Sequence, residues 1–98
     1  MAAVRWTAQA ADDLESITDF IGKDSFHYAQ MFVIDVLQLA GRLEDFPNSG
    51  RAVSEASDPC IREIMFGNYR IIYRTGSDTV EILTVYHGAR LLDPETLI

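Results

Sequence analysis

The stretch CIREIMFGNYRIIYRTGSDTVEILTVYH, residues 60–87, alternates apolar and polar side chains through three runs, broken at Gly67-Asn68 and Gly76-Ser77. A period of two puts successive side chains on opposite faces of a strand. The spacing therefore predicts strands over residues 60–66, 69–75 and 79–87, joined as an antiparallel meander. Glycine at the first turn position fits a type II′ hairpin between the first two. With two-residue loops at both turns, Phe66 faces Tyr69, Ile64 faces Ile71, Tyr73 faces Val80 and Ile71 faces Ile82. One face then carries Ile64, Phe66, Tyr69, Ile71, Tyr73, Val80, Ile82 and Tyr86, and is expected to meet the core. The other carries Ile61, Glu63, Met65, Arg70, Ile72, Arg74, Glu81, Leu83, Val85 and His87, and is expected to be partly open to water. On it Glu63 and Glu81 are diagonal neighbours of Arg70 and Arg74. Such a network at a surface is worth little per pair.

The chain before this meander supplies what covers its apolar face. AAVRW, residues 2–6, reads as a short strand. Thr7 is placed to cap a helix over residues 7–24, whose Ala10, Leu14, Ile17 and Ile21 recur at helical spacing. Ser25 is placed to cap a second helix over residues 25–46. Its stripe of Ala29, Phe32, Val33, Val36, Ala40 and Leu43 is widened by Met31, Ile34 and Leu37. A helix apolar around most of its girth is buried on several sides or meets a partner. Gly41 inside it costs about 1 kcal/mol relative to alanine and points to close packing or a bend. Pro47 and Gly50 end the helical region, and a loop follows. Cys60 at a strand start is expected to be a small buried residue. Residues 91–98 form an apolar tail with Leu91, Leu92, Leu97 and Ile98, of the kind that marks a contact surface. The whole reads as one α+β domain, residues 1–98, with a helical hairpin on one face of a mainly antiparallel sheet.

Composition narrows the function classes. The chain has 98 residues and a net charge of −7, from eight basic and fifteen acidic residues. Nucleic-acid binding draws affinity from neutralising phosphates with Lys and Arg, so direct sequence-specific DNA binding by this chain alone is not expected. The acidity sits in the N-terminal half, and the meander is close to neutral. No apolar run approaches the ~20 residues of a membrane helix, and the first residues do not read as a signal peptide. One cysteine makes no internal disulfide and no zinc site. A cytoplasmic location is expected, with no metal and no cofactor.

The order strand, helix, helix, three strands resembles the RelE/ParE superfamily of toxins from bacterial type II toxin–antitoxin systems. The resemblance rests on VRWTAQAADDLESITDFI, FPNSGR, IREIMFGNYRIIYR and VEILTVYHGAR. These look like the opening strand and helix, the Pro-x-x-Gly-Arg loop and the closing strands of that superfamily. It implies a toxin held inactive by a cognate antitoxin, in a toxin–antitoxin hetero-oligomer, of the kind tied to plasmid stabilization. It also implies one of two activities. RelE-like members are ribosome-dependent mRNA endoribonucleases, whereas ParE-like members inhibit DNA gyrase. A third reading is an inactive relative that only binds its antitoxin.

For a ribonuclease the resemblance picks out Arg70, His87 and Arg90, with Arg51 and Glu55 as supporting or base candidates. Cleavage by the 2′-hydroxyl needs a base, a proton donor and cations around the phosphate. Histidine can serve in either proton-transfer role near neutral pH. Against this, Glu63 and Glu81 lie beside the arginines, and a lone histidine at a strand end is more often structural. The ParE-like reading, with gyrase as target, fits the acidic chain and the absence of a basic cluster better. For antitoxin contact, the resemblance and the apolar pattern pick out Trp6, Phe26, Tyr28, Leu91 and Leu92.

Overall fold

A computed structural model describes residues 2–88. The elements are β1 (Ala3–Trp6), α1 (Ala8–Gly22), α2 (Phe26–Gly41), a 3₁₀ turn (Arg42–Glu44), β2 (Arg51–Ala52), β3 (Ile61–Phe66), β4 (Tyr69–Thr75) and β5 (Thr79–His87). The five strands form one sheet in the order β1-β5-β4-β3-β2. β1 runs parallel to β5, and every other pairing is antiparallel. Both helices pack on one face of the sheet, giving the α+β architecture that the pattern predicts.

Capping fixes where each helix begins. The Thr7 hydroxyl accepts from the Ala10 N–H at 3.1 Å and donates to the Ile82 carbonyl at 2.8 Å. One side chain thus starts α1 and fastens it to β5. Ser25 caps α2 by accepting from the Tyr28 N–H at 3.2 Å. The second helix is shorter than residues 25–46. It ends at Gly41, and the chain tightens so that the N–H groups of Asp45 and Phe46 both reach the Arg42 carbonyl.

The principal core joins Ala10, Phe32, Val36, Ala40 and Leu43 to Ile71, Tyr73, Val80, Ile82 and Val85 of the sheet. Each fully buried large aliphatic side chain contributes about 1.5–3 kcal/mol. Met31, Ile34 and Leu37, which widen the stripe of α2, are not buried here: they are 43%, 49% and 47% exposed. A smaller cluster of Val53, Ile61 and Ile72, with Ala56, Leu83 and Tyr86 against it, lies on the other face of the sheet. The irregular chain after β2 folds over that face.

The β3–β4 register has Phe66 opposite Tyr69 and Ile64 opposite Ile71, as the two-residue turn requires. Gly67 alone has positive φ (56°) among the described residues, at the first turn position. The β4–β5 register departs from the simple expectation twice. The turn is wider than Gly76-Ser77, so Thr75 faces Val80 and Tyr73 faces Ile82. A slip of two residues keeps every side chain on its face. A bulge then falls between the pairs Tyr73–Ile82 and Ile72–Thr84, where Leu83 is the extra residue. Beyond a bulge the alternation reverses. Val85 and His87 therefore turn to the helix side, and Tyr86 turns away from it, opposite to the unbulged assignment.

Asp13 of α1 holds this bulge. Its carboxylate accepts from the Thr84 hydroxyl and, at 3.3 Å, from the Val85 N–H. Cys60 is exposed rather than buried, because it ends the covering loop instead of entering β3.

Candidate functional site

Arg70 sits on the central strand β4, on the face turned away from the helices. The expected wet ion network is absent at this position. Arg70 is 7% exposed and Glu63 is 5% exposed. Arg70 Nε donates to Glu63 at 2.5 Å, and its two terminal nitrogens donate to the two oxygens of Glu55 at 2.7 and 2.9 Å. Arg51 of β2 donates to the second oxygen of Glu63 at 3.0 Å. The covering loop brings Glu55 down onto the sheet, and this excludes the water that alternation alone would have allowed. The hydrogen bonds that Glu55 accepts, helped by Glu63, hold the Arg70 guanidinium protonated against the opposing effect of burial. Two cations and two anions balance, so the cluster offers little net charge to a phosphate. Arg74 does lie in the more open setting expected of the network, 3.6 Å from Glu81 and 3.8 Å from Asp58.

His87 lies across the sheet from that cluster. Its ring meets Tyr69 edge-on, with centroids 5.4 Å apart. It lines a cleft of about 500 Å³ with Asp13, Ser16, Phe20, Tyr69 and Tyr86. Arg70 and His87 thus face opposite sides of the sheet and do not converge on one point. Arg90 lies outside the described residues, as do Leu91 and Leu92.

A second concavity runs along the helical hairpin. Trp6, Ala11, Leu14, Val33 and Leu37 give it an apolar floor, and Glu15, Thr18 and Asp19 rim it, enclosing about 370 Å³. Trp6 is half-buried there. Phe26 and Tyr28 are 73% and 69% exposed and stand apart from this groove, at the turn end of the hairpin. Among the described residues no grouping of His, Cys, Asp and Glu could hold a metal ion. Nor is any helix among them long and apolar enough to cross a membrane.

Comparison with known proteins gives this geometry its context. The family described as ParE toxin of type II toxin–antitoxin system, parDE, matches residues 4–92. Toxin RelE2 of Caulobacter vibrioides is 34% identical over 92 residues, spanning 93% of this chain and 100% of that protein. The chromosomal ParDE toxin–antitoxin system of P. aeruginosa contains a chain of the same fold. Its TM-score is 0.73 at 23% identity, over 89% of this chain and 96% of that one. A chain of the toxin–antitoxin complex RelBE2 from Mycobacterium tuberculosis superposes with a TM-score of 0.63 at 25% identity, over 88% and 96%. The helical hairpin on a mainly antiparallel sheet is thus shared with both complexes, and the match over residues 4–92 shows that the chain belongs to the ParE toxin family of type II toxin–antitoxin systems, within the RelE/ParE superfamily.

Proposed function

We propose that this toxin acts in the ParE-like manner, by binding DNA gyrase, and that a cognate antitoxin neutralises it. The observation that carries the choice is the closure of Arg70 by Glu55 and Glu63. An arginine that stabilises a cleaving phosphate must present its donors to that phosphate. Here the terminal nitrogens and Nε all donate to carboxylates of the same chain. The separation of His87 from Arg70 by the thickness of the sheet supports the same reading. Gyrase recognition through protein contacts sets no requirement for a basic surface, so the net charge of −7 is no obstacle. Purified toxin is expected to inhibit gyrase supercoiling or to promote gyrase-dependent DNA cleavage, and to leave ribosome-bound mRNA intact in a parallel translation assay. Cleaved mRNA with unaffected gyrase would establish the RelE-like activity instead, and inactivity in both assays would leave antitoxin binding alone.

The hairpin groove is the antitoxin site in this reading. It is apolar along its floor and acidic at Glu15 and Asp19. An amphipathic segment with basic residues on its flanks has the matching chemistry. Trp6 is the aromatic anchor of the groove, and buried aromatic anchors commonly carry 2 kcal/mol or more of binding energy. Trp6→Ala is therefore expected to weaken antitoxin binding about 30-fold or more by calorimetry. Unchanged affinity in a folded variant would place the antitoxin elsewhere.

A further inference from the structure

Opposite its core stripe, α2 presents a face that reads alike from both ends. A helix turns about 100° per residue, so His27, Gln30, Met31, Ile34, Leu37, Gln38 and Gly41 share an arc of about 120° centred on Ile34. All seven are exposed. Met31 and Leu37 stand equally far from Ile34 on either side, as do Gln30 and Gln38, and His27 and Gly41. The arc holds no Asp, Glu, Lys or Arg. In a chain of net charge −7, that is where two like-charged molecules meet with least repulsion. Asp35, the one carboxylate of α2, lies off the arc.

We propose that two copies of this chain associate through α2, antiparallel, about a two-fold axis at Ile34. An isologous contact brings each position against its mirror position. Ile34 then meets its own copy, and Met31 meets Leu37. The amide of Gln30 meets that of Gln38, where each can donate to the other. The imidazole of His27 meets Gly41, the position with no side chain. Polar faces polar, apolar faces apolar, and bulk faces space. Gly41 is otherwise unexplained by packing, since a Cβ there would touch nothing within 4 Å in its own chain. Away from its Leu37 edge, which borders the acidic rim of the hairpin groove, the arc offers a foreign partner of either charge no ion to pair with, whereas a second copy complements it at every position. One helix face on each side is a small contact, below the ~1,200 Å² of standard interfaces, so the dimer is weak and concentration-dependent.

The test uses the full chain with Cys60→Ser, because Cys60 is exposed and would cross-link by itself. Adding Ile34→Cys is expected to give a disulfide-linked dimer at least tenfold faster than a cysteine at the exposed α1 position Gln9. A mixture of Gln30→Cys and Gln38→Cys chains is expected to cross-link between the two variants far more than either variant alone. Sedimentation of the wild-type chain is expected to shift from monomer to dimer as concentration rises. Ile34→Asp, with unchanged circular dichroism, is expected to stay monomeric. A wild-type chain that sediments as a monomer up to millimolar concentration would overturn the proposal. So would cross-linking at Ile34 no faster than at Gln9, or Gln30→Cys alone linking as well as the mixture.

Discussion

Arg70→Ala is expected to lower stability by about 3–5 kcal/mol, because it leaves buried carboxylates without their cation. Glu63 would lose its shortest partner, and Glu55 would lose both hydrogen bonds that hold the covering loop to β4. Domains of this size carry about 5–15 kcal/mol in total, so the variant is expected to melt roughly 12 °C or more below the wild type. Arg70→Lys keeps a charge but not the fork that grips two carboxylates, and should recover only part of the loss. Arg70→Met combined with Glu63→Leu should be more stable than Arg70→Ala, since the most buried charge then leaves with its partner. Arg74→Ala is the control: its pairs are longer and partly exposed, and exposed pairs are worth about 1 kcal/mol or less. Thermal denaturation of the four variants checks the series. A folded Arg70→Ala chain within 1 kcal/mol of wild type would mean that the cluster contributes nothing to stability. The functional consequence is direct. Lower stability alone can reduce the toxicity of Arg70→Ala, so a loss of toxicity counts as support for RNA cleavage only where the variant is shown to be folded.

How much of this was legible beforehand depends on the range of the interactions concerned. Thr7 and Ser25 announce their helices because capping is local. Gly67 announces its turn for the same reason. The core stripe of α2 follows from a period that its own residues carry. The bulge at Leu83 had a local trace, since the buried apolar positions Val80 and Ile82 fall two apart whereas the next, Val85, comes three later. Its register nevertheless depends on Asp13, seventy-odd residues away in sequence. The burial of Arg70 had no local trace at all. Alternation placed it correctly on the face away from the helices, but alternation is silent on what a loop will cover. That outcome is set by Val53 and Ala56 seating on Ile61 and Ile72, which delivers Glu55 to the guanidinium. Arg70 and His87 fail to converge for the same long-range reason: one extra residue in β5 moves His87 to the other side of the sheet.

Among the described glycines, Gly50→Ala is expected to be the most damaging single methyl addition. A Cβ at Gly50 would sit 2.6 Å from the Glu63 carbonyl oxygen, 2.6 Å from the Tyr73 hydroxyl and 2.9 Å from Tyr73 Cε1. One of these is backbone in β3, and the other two belong to a ring with no exposed surface. Neither can move aside cheaply. The same residue donates its N–H to the Tyr73 hydroxyl at 2.9 Å and accepts from Arg62 at 2.9 Å through its carbonyl. Displacing it therefore strains the packing and loosens one buried and one part-buried hydrogen bond, together about 3 kcal/mol or more. The Tyr73 ring has no exposed surface, so a hydroxyl that loses the Gly50 N–H keeps its contact with Ser49 and gains no water in place of the lost bond. Gly50 is also the hinge from which Arg51 reaches Glu63, and so the damage should spread to the Arg70 cluster. Gly41→Ala gives the opposite sign under the same measurement. Nothing lies within 4 Å of its added methyl, and helix propensity alone favours alanine by about 1 kcal/mol. Urea denaturation of both variants in dilute solution separates the two cases. Equal stability would show that the glycine of the Pro-x-x-Gly-Arg loop is not required by packing. A wide gap would explain that motif as the one place where β3 and the Tyr73 ring leave no room for a side chain.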